Sequence, residues 1–253
     1  MLREVELFGV MDKVADSIKL LQDVEPEEGY YLAFSGGKDS ICIKEVCDMA
    51  GVKYDAHYNN TTIDPPELVR FIRRHHPDVK FEHPEVPFLK KMATKGFPQR
   101  QRRWCCEVYK ERGGTGRKVV TGIRAAESAK RAGRKMVEAC FKDTTKTYIN
   151  PLLGWTDDDV WEFIKEREMP YCKLYDEGYK RLGCMFCPMN TKRMMDVESY
   201  PRYTRLFIKA FETLYATGRL SMINRWDSGE DMFWWWIDDK RPQEDPGQTV
   251  LFE

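Results

Sequence analysis

Apolar positions along this chain follow two periods. Compact apolar runs at Tyr30–Phe34, Tyr54–Tyr58, Val79–His83 and Lys118–Thr121 predict strands. Between them, apolar residues recurring every three or four positions predict helices over Ser40–Met49, Pro66–His75 and Asp157–Arg167, and an amphipathic helix from Met11 to Val24 precedes the first strand. Strands alternating with helices predict a parallel sheet covered by helices on both faces. Beyond Met169 the pattern turns helical and aromatic, over Tyr200–Thr217 and Met232–Ile237. The expected organisation is an N-terminal helix over 1–26, an α/β domain over 27–168, and a helical C-terminal region over 169–253.

In such sheets the ligand crevice lies outside the carboxyl ends of the strands. Three segments fall there: Ser35-Gly36-Gly37-Lys38-Asp39-Ser40, Asn59-Asn60-Thr61-Thr62 and Gly122-Ile123-Arg124. The first is the most informative. An apolar strand feeding a Gly-rich turn that opens a helix aims backbone N–H groups at one point, where amides and the helix dipole hold an anionic oxygen. Lys38 adds a positive charge, Ser35 and Ser40 add hydroxyls, and Asp39 is placed to orient Lys38 or to hold Mg2+. The spacing is not that of the Walker loop. Arg124 is expected to contact a phosphate, and the strand end at Asn59 to present backbone to a bound ligand.

Charge changes this picture locally. The chain carries 41 Lys and Arg against 41 Asp and Glu, yet the segment 95–146 is strongly basic. That makes it a candidate anion-facing surface, for nucleotide or nucleic acid. No run reaches the roughly 18 apolar residues of a membrane span. With no basic-then-apolar leader at its start, the chain reads as cytoplasmic.

Eight cysteines in such a chain point to metal ligation, catalysis or burial before disulfides. Cys105-Cys106 and Cys184-Met185-Phe186-Cys187 supply four soft donors of the kind that take zinc or an iron–sulfur cluster. Adjacent cysteines serve a single tetrahedral zinc poorly because neighbouring side chains diverge, which favours a [4Fe-4S] cubane over zinc or four buried thiols. Cys42 and Cys47 are five apart on the helix after the loop and suit the core. Cys172 is expected to be either buried or reactive, and Cys140, in the basic segment, is the candidate sulfur relay. The four histidines show no metal spacing.

Taken in order, the loop, Gly122-Ile123-Arg124 with Glu127-Ser128, Pro151-Leu152-Leu153-Gly154-Trp155, and Leu174-Tyr175-Asp176-Glu177-Gly178-Tyr179 leading to Arg181-Leu182-Gly183-Cys184 resemble the phosphoadenosine phosphosulfate (PAPS) reductase family over roughly residues 28–190. The loop resembles the PP-loop of the adenine-nucleotide α-hydrolase superfamily, which splits ATP between its α and β phosphates. The resemblance implies a Rossmann-like fold with a small helical C-terminal part. The cysteine pattern is similar to the [4Fe-4S] set of the adenylylsulfate reductase branch and of cluster-bearing ATP pyrophosphatase subunits of DNA phosphorothioation systems. Reductases of the family carry a C-terminal Cys-Gly-Leu/Ile-His motif, whereas the sequence here closes on Gly247-Gln248-Thr249-Val250-Leu251-Phe252-Glu253. Their loops also tend to be eroded, and this one is complete.

The reading these features favour is an ATP-pyrophosphatase-type enzyme that uses ATP, Mg2+ and a [4Fe-4S] cluster to adenylylate an acceptor for sulfur insertion. Its rivals are a sulfonucleotide reductase acting through a non-terminal thiol, Cys140 or Cys172, and a non-catalytic nucleotide-binding subunit that docks through Phe233-Trp234-Trp235-Trp236. Candidate partners are an adenine nucleotide, a nucleic-acid acceptor along 95–146, a cysteine desulfurase or other sulfur donor, and a second copy of the chain, with no membrane.

Overall fold

The computed structural model of the protein describes residues 2–6, 9–190, 192–218 and 225–238. The chain divides into two compact units, and the division is not linear. One unit comprises 1–84 and 108–183, the other 85–107 and 184–253. This departs from the boundaries 27–168 and 169–253, because residues 85–107 leave the α/β unit to pack with the C-terminal helices, while 169–183 remain with the sheet.

The α/β unit opens with an antiparallel hairpin, β1 (Arg3–Glu6) and β2 (Gly9–Asp12), where a helix was expected to begin. Asp12 then caps α1 (Lys13–Asp23), its carboxylate accepting from the amides of Val14 and Ala15 at 3.0 Å each. The expected alternation follows: β3 (Tyr30–Phe34), α2 (Lys38–Ala50), β4 (Tyr54–Asn59), α3 (Pro66–His75), β5 (Lys80–Glu82) and β6 (Lys118–Val120). After β6 come α5 (Ala129–Ala132), β7 (Val137–Ala139), β8 (Thr147–Ile149) and α6 (Asp157–Glu166). The sheet runs β5-β4-β3-β6-β8-β7, parallel except for the edge strand β7. In β3, Tyr30, Tyr31, Leu32 and Phe34 are all buried, as the continuous apolar run of a central strand requires. In β4 only Ala56 and Tyr58 are buried, and the alternate positions Asp55, His57 and Asn59 form a polar, half-buried face.

Helix α6 is fixed to α1 by charge. Thr156 and Asp159 form a reciprocal capping box, and Asp159 Oδ2 also accepts from Lys13 Nζ at 2.8 Å with its side chain fully buried. Burial opposes ionisation of Asp159, but Lys13 and the donors of Thr156 outweigh it and hold the carboxyl well below its ordinary range. A depressed folded-state pKa contributes stability that is complete above the unfolded value of about 3.9 and is lost as pH falls toward the folded one. Asp159→Ala is therefore expected to cost about 3–5 kcal/mol at pH 7, by leaving Lys13 without its buried partner. In urea titrations the deficit should shrink below about pH 4, where the parent loses the same contribution; a deficit unchanged down to pH 2 would contradict this assignment.

The second unit contains α4 (Phe88–Lys95), α7 (Arg193–Ser199), α8 (Pro201–Ala216) and α9 (Gly229–Asp238). Its core is aromatic. Phe97 stacks on Phe211 at 5.5 Å, Phe186 meets Phe207 at 4.6 Å, and Phe233 and Trp236 are buried among them. The indole of Trp236 donates to the Pro98 carbonyl at 2.7 Å. The aromatic tail proposed as a docking element is thus largely core, since α9 spends its rings on α8 and on the 85–107 segment.

Candidate functional site

The phosphate loop follows β3, one of the two central strands of the six-stranded sheet, and Gly37 caps α2. Two glycines there answer to definite constraints. Gly36 has φ 71°, and a Cβ on it would lie 2.7 Å from Ile72 Cδ1. Gly122, at the end of β6, was expected to touch the nucleotide. Its missing side chain also lets the end of β6 approach α2, since a Cβ would fall 2.6 Å from the backbone oxygen of Asp39.

The loop is closed by its own side chains and by Tyr175. Ser35 Oγ donates to Ser40 Oγ at 3.2 Å, Ser40 Oγ donates to the Gly37 carbonyl at 2.9 Å, and the Lys38 amide donates to the Tyr175 hydroxyl at 2.8 Å. Burial keeps the Tyr175 phenol protonated far above neutral pH, so it retains a proton to donate at the mouth of the loop. The sequence marked Tyr175 only as part of a motif; its place against the loop needed the fold.

Four charges converge beside the loop. Lys38 Nζ lies 2.9 Å from Asp157 Oδ1 and 3.3 Å from Asp39 Oδ1. Arg124 Nε lies 2.6 Å from Asp39 Oδ1, its Nη2 donates to Asp157 Oδ1, and Nη1 reaches the Trp155 carbonyl at 3.4 Å. The side chains of Lys38 and Arg124 are only 6% and 2% exposed, whereas that of Asp157 is 69% exposed. Burial opposes the Arg124 cation, but the two carboxylates more than restore it. Burial likewise opposes ionisation of Asp157, and Lys38 and Arg124 overcome this and lower its pKa. Lys38 and Arg124, expected to face phosphate directly, are therefore both engaged with carboxylates, one of which, Asp157, the sequence did not single out.

Asn59 ends β4 with its side chain tied to the 110–112 segment, donating to the Lys110 carbonyl and accepting from Arg112 Nε, both at 3.3 Å. In the turn after it Thr62 takes φ 67°, a strained conformation for a β-branched residue, while Asp64 accepts from Tyr58 Oη at 2.6 Å and from the Thr61 amide at 2.9 Å. His57 has no catalytic setting. Its Nδ1 lies 2.8 Å from Glu82, its Nε2 meets Asp55, and its ring stacks on Tyr31 at 4.2 Å.

Cys140 is not near the loop. It follows β7, whose antiparallel register sets Ala139 against Thr147, level with Lys118 at the amino end of β6. That is three strands from β3, about 14 Å sideways, and about five residues or 16 Å below the loop. The antiparallel return of β7 thus leaves Cys140 at the amino end of the sheet, away from the loop. Cys172 is buried, with its thiol pushed upward chiefly by that burial, as an unreactive structural cysteine would be. Cys42 and Cys47 are buried on α2 as expected.

The remaining four cysteines all lie in the second unit. Between Cys184 and Cys187 the chain turns through Phe186 at φ 56°, held there by its ring in the aromatic core and by its amide donating to Asp196 Oδ2 at 2.8 Å. Arg100 Nε donates to the Pro188 carbonyl at 2.9 Å, joining this turn to the segment that carries Cys105 and Cys106. Arg103 Nη1 donates to Cys106 Sγ at 3.7 Å. The Cys105 pKa is raised well above the thiol range by its hydrogen bond with Cys106, then by burial, then by Cys106, Cys184 and Cys187 as neighbours. The four thiols share one neighbourhood, although among the described residues no three His, Cys, Asp or Glu side chains converge into a ready-made metal-binding group. The donor set, four soft sulfurs with a guanidinium beside one of them, is of the kind that takes zinc or an iron–sulfur cluster.

A family model, the phosphoadenosine phosphosulfate reductase domain, matches residues 29–190, more than half of the chain. The chain belongs to this family. Among curated relatives it is 30% identical over 196 residues to an uncharacterised protein of Methanocaldococcus jannaschii, covering 72% of this chain and 39% of that one. It is 29% identical over 151 residues to the adenosine 5'-phosphosulfate reductase of Oceanobacillus iheyensis, covering 55% and 60%. The chain thus spans between about two fifths and three fifths of these relatives' lengths. The fold resembles that of the phosphoadenylyl-sulfate reductase of Candida auris, solved as a phosphate complex, with TM-score 0.51 and 19% identity over 67% of this chain and 88% of that one. Among the described residues no helix of this family member is long and apolar enough to cross a membrane.

Proposed function

We propose that this member of the PAPS reductase family is an ATP pyrophosphatase that adenylylates an acceptor oxygen in the service of sulfur insertion. The observation that carries the reading is the complete loop Ser35–Ser40 at the carboxyl end of a central strand, with the buried cations Lys38 and Arg124 meeting beside it. In the reaction the acceptor oxygen bonds to the α-phosphorus as the α–β phosphoanhydride bond breaks. The electron pair departs on pyrophosphate, and the acceptor's proton passes to solvent. Charge develops on the leaving pyrophosphate, where Lys38, Arg124, the loop amides and the Tyr175 hydroxyl stabilise it. Mg2+, when bound, neutralises further phosphate charge, and Asp39 would hold it. Cys105, Cys106, Cys184 and Cys187 would hold the [4Fe-4S] cluster, which supplies a rigid thiolate anchor within the second unit.

The acceptor is proposed as a nucleic acid or a small molecule. Part of the positive charge of 95–146 is internal, since Arg117 pairs with Asp55 and Lys146 is buried, but in the α/β unit Lys110, Arg112, Lys130, Lys135 and Lys142 are exposed.

A second reading is favoured by the relatives named adenosine 5'-phosphosulfate reductase, which would make this chain a sulfonucleotide reductase. Neither thiol nominated for that role supports it, since Cys140 lies at the wrong end of the sheet and Cys172 is buried.

The deciding assay incubates anaerobically prepared protein with ATP and Mg2+, with DNA, RNA or small thiols as acceptors, and separately with adenylyl sulfate and thioredoxin. Pyrophosphate release from ATP without sulfite from adenylyl sulfate is the expected result. Sulfite release without ATP cleavage would install the reductase instead.

A further inference from the structure

Two cations buried beside a phosphate loop need an anion when no nucleotide is present. The four charges found there cancel, Lys38 and Arg124 against Asp39 and Asp157. The two carboxylates are not equivalent. Asp39 lies in the first turn of α2 with its backbone pressed against Gly122, and its side chain is 23% exposed. Asp157 is the first residue of α6 and its side chain is 69% exposed. It can swing into water at little cost, while Asp39 is confined by what surrounds it. Moreover a single atom, Asp157 Oδ1, accepts from both Lys38 Nζ and Arg124 Nη2. A phosphate oxygen placed at that point would accept from the same two donors.

We infer that Asp157 is a built-in stand-in for phosphate, which closes the Lys38–Arg124 cation pair in the empty site and gives way to phosphate oxygens when a nucleotide enters. The inference rests on the ATP-using reading above and deepens it. Asp157 acts as a positioning residue: it keeps two cations converged and ionised, ready for a ligand that carries its own negative charge. The cost is competition, since each bound phosphate oxygen must displace a carboxylate. Substrates of higher phosphate charge displace it more readily, which biases the site toward nucleoside triphosphate and pyrophosphate over monophosphate.

The test uses the full chain and pyrophosphate as probe, without divalent metal and with chelator present, read by calorimetry. Asp157→Asn keeps the shape and removes the competing charge, and should bind pyrophosphate about tenfold tighter, a change of about 1.4 kcal/mol. Asp158→Asn makes the same change in net charge from an exposed position in the same helical turn, and should move affinity by less than about threefold. Asp157→Glu should stay near the parent. Asp157→Ala supplies a second measurement: its melting temperature should fall without ligand and rise on adding pyrophosphate by more than the parent's does. Pyrophosphate affinity that is unchanged or weaker in Asp157→Asn, or matched by Asp158→Asn, overturns the inference while leaving the ATP-using reading intact. A parent protein that binds neither pyrophosphate nor ATP overturns that reading itself.

Discussion

Lys38→Ala is expected to lower pyrophosphate release from ATP by about a hundredfold to a thousandfold, the range seen when one preorganised donor to developing charge is removed. The ammonium is buried, 2.9 Å from Asp157 and 3.3 Å from Asp39, so its loss does two things. It removes a charge-assisted contact to the leaving pyrophosphate, and it leaves two carboxylates opposite Arg124 alone. The second effect makes the empty site net negative and raises the cost of bringing in a polyanion. Binding of ATP and pyrophosphate should therefore weaken far more than binding of adenosine, which carries no phosphate. The split is measurable as separate dissociation constants for adenosine, AMP and ATP, with kcat followed by pyrophosphate release. An equal loss for adenosine and ATP would show that the phosphates do not sit at this loop. Lys38→Arg should recover only part of the activity, because a planar guanidinium cannot occupy the point between two carboxylates that a compact ammonium fills.

How far the sequence carries this argument depends on the range of the interactions involved. Strand β3 and its loop were legible because their signals are local: an unbroken apolar run, then glycines, then helical period. The same holds for β4, α3 and α6, whose observed bounds lie within a residue or two of the expected ones. The four cysteines were legible as a group from their type and spacing. What stayed hidden was set by contacts distant in sequence. Strands β7 and β8 have three residues each, and Val137-Glu138-Ala139 shows no strong apolar pattern, so Cys140 was placed by its basic neighbours and not by the antiparallel return that carries it away from the loop. Arg124 was expected to face phosphate because nothing local reveals that Asp157, thirty-three residues later, meets its guanidinium. The two-unit division was hidden for a similar reason. Phe88 and Phe97 look like ordinary apolar positions until Phe207, Phe211 and Trp226 are brought against them. The terminal stretch Gly247–Glu253 lies outside the described residues.

Protein prepared without oxygen is expected to be brown, with broad visible absorption and about four irons per chain, and replacement of any one of Cys105, Cys106, Cys184 or Cys187 by serine should bleach it. Cys105 and Cys106 are sequence neighbours, which a single tetrahedral ion engages poorly, whereas iron corners of a cubane are spread over several ångströms. Phe186, fixed in the left-handed region by core packing and by Asp196, sets the turn that presents Cys184 and Cys187. Loss of the cluster should weaken the second unit in particular, because its thiolates join the 85–107 segment to the chain beyond residue 183. Limited proteolysis of the serine variants should therefore cut within 85–107 or after 184 before it reaches the sheet. The metal-free state also makes a prediction of its own. The hydrogen bond between Cys105 and Cys106, burial and the neighbouring thiols raise the Cys105 pKa, so without metal that thiol is protonated at neutral pH. Metal can enter only as protons leave, and reconstitution with iron and sulfide should accelerate as pH rises. Neutralising Arg103, which donates to Cys106 Sγ, should slow reconstitution at pH 7 and matter less at higher pH, where thiolate forms without its help. A colourless protein that holds one zinc per chain, with uptake insensitive to Arg103, would show instead that these four sulfurs close around a single ion.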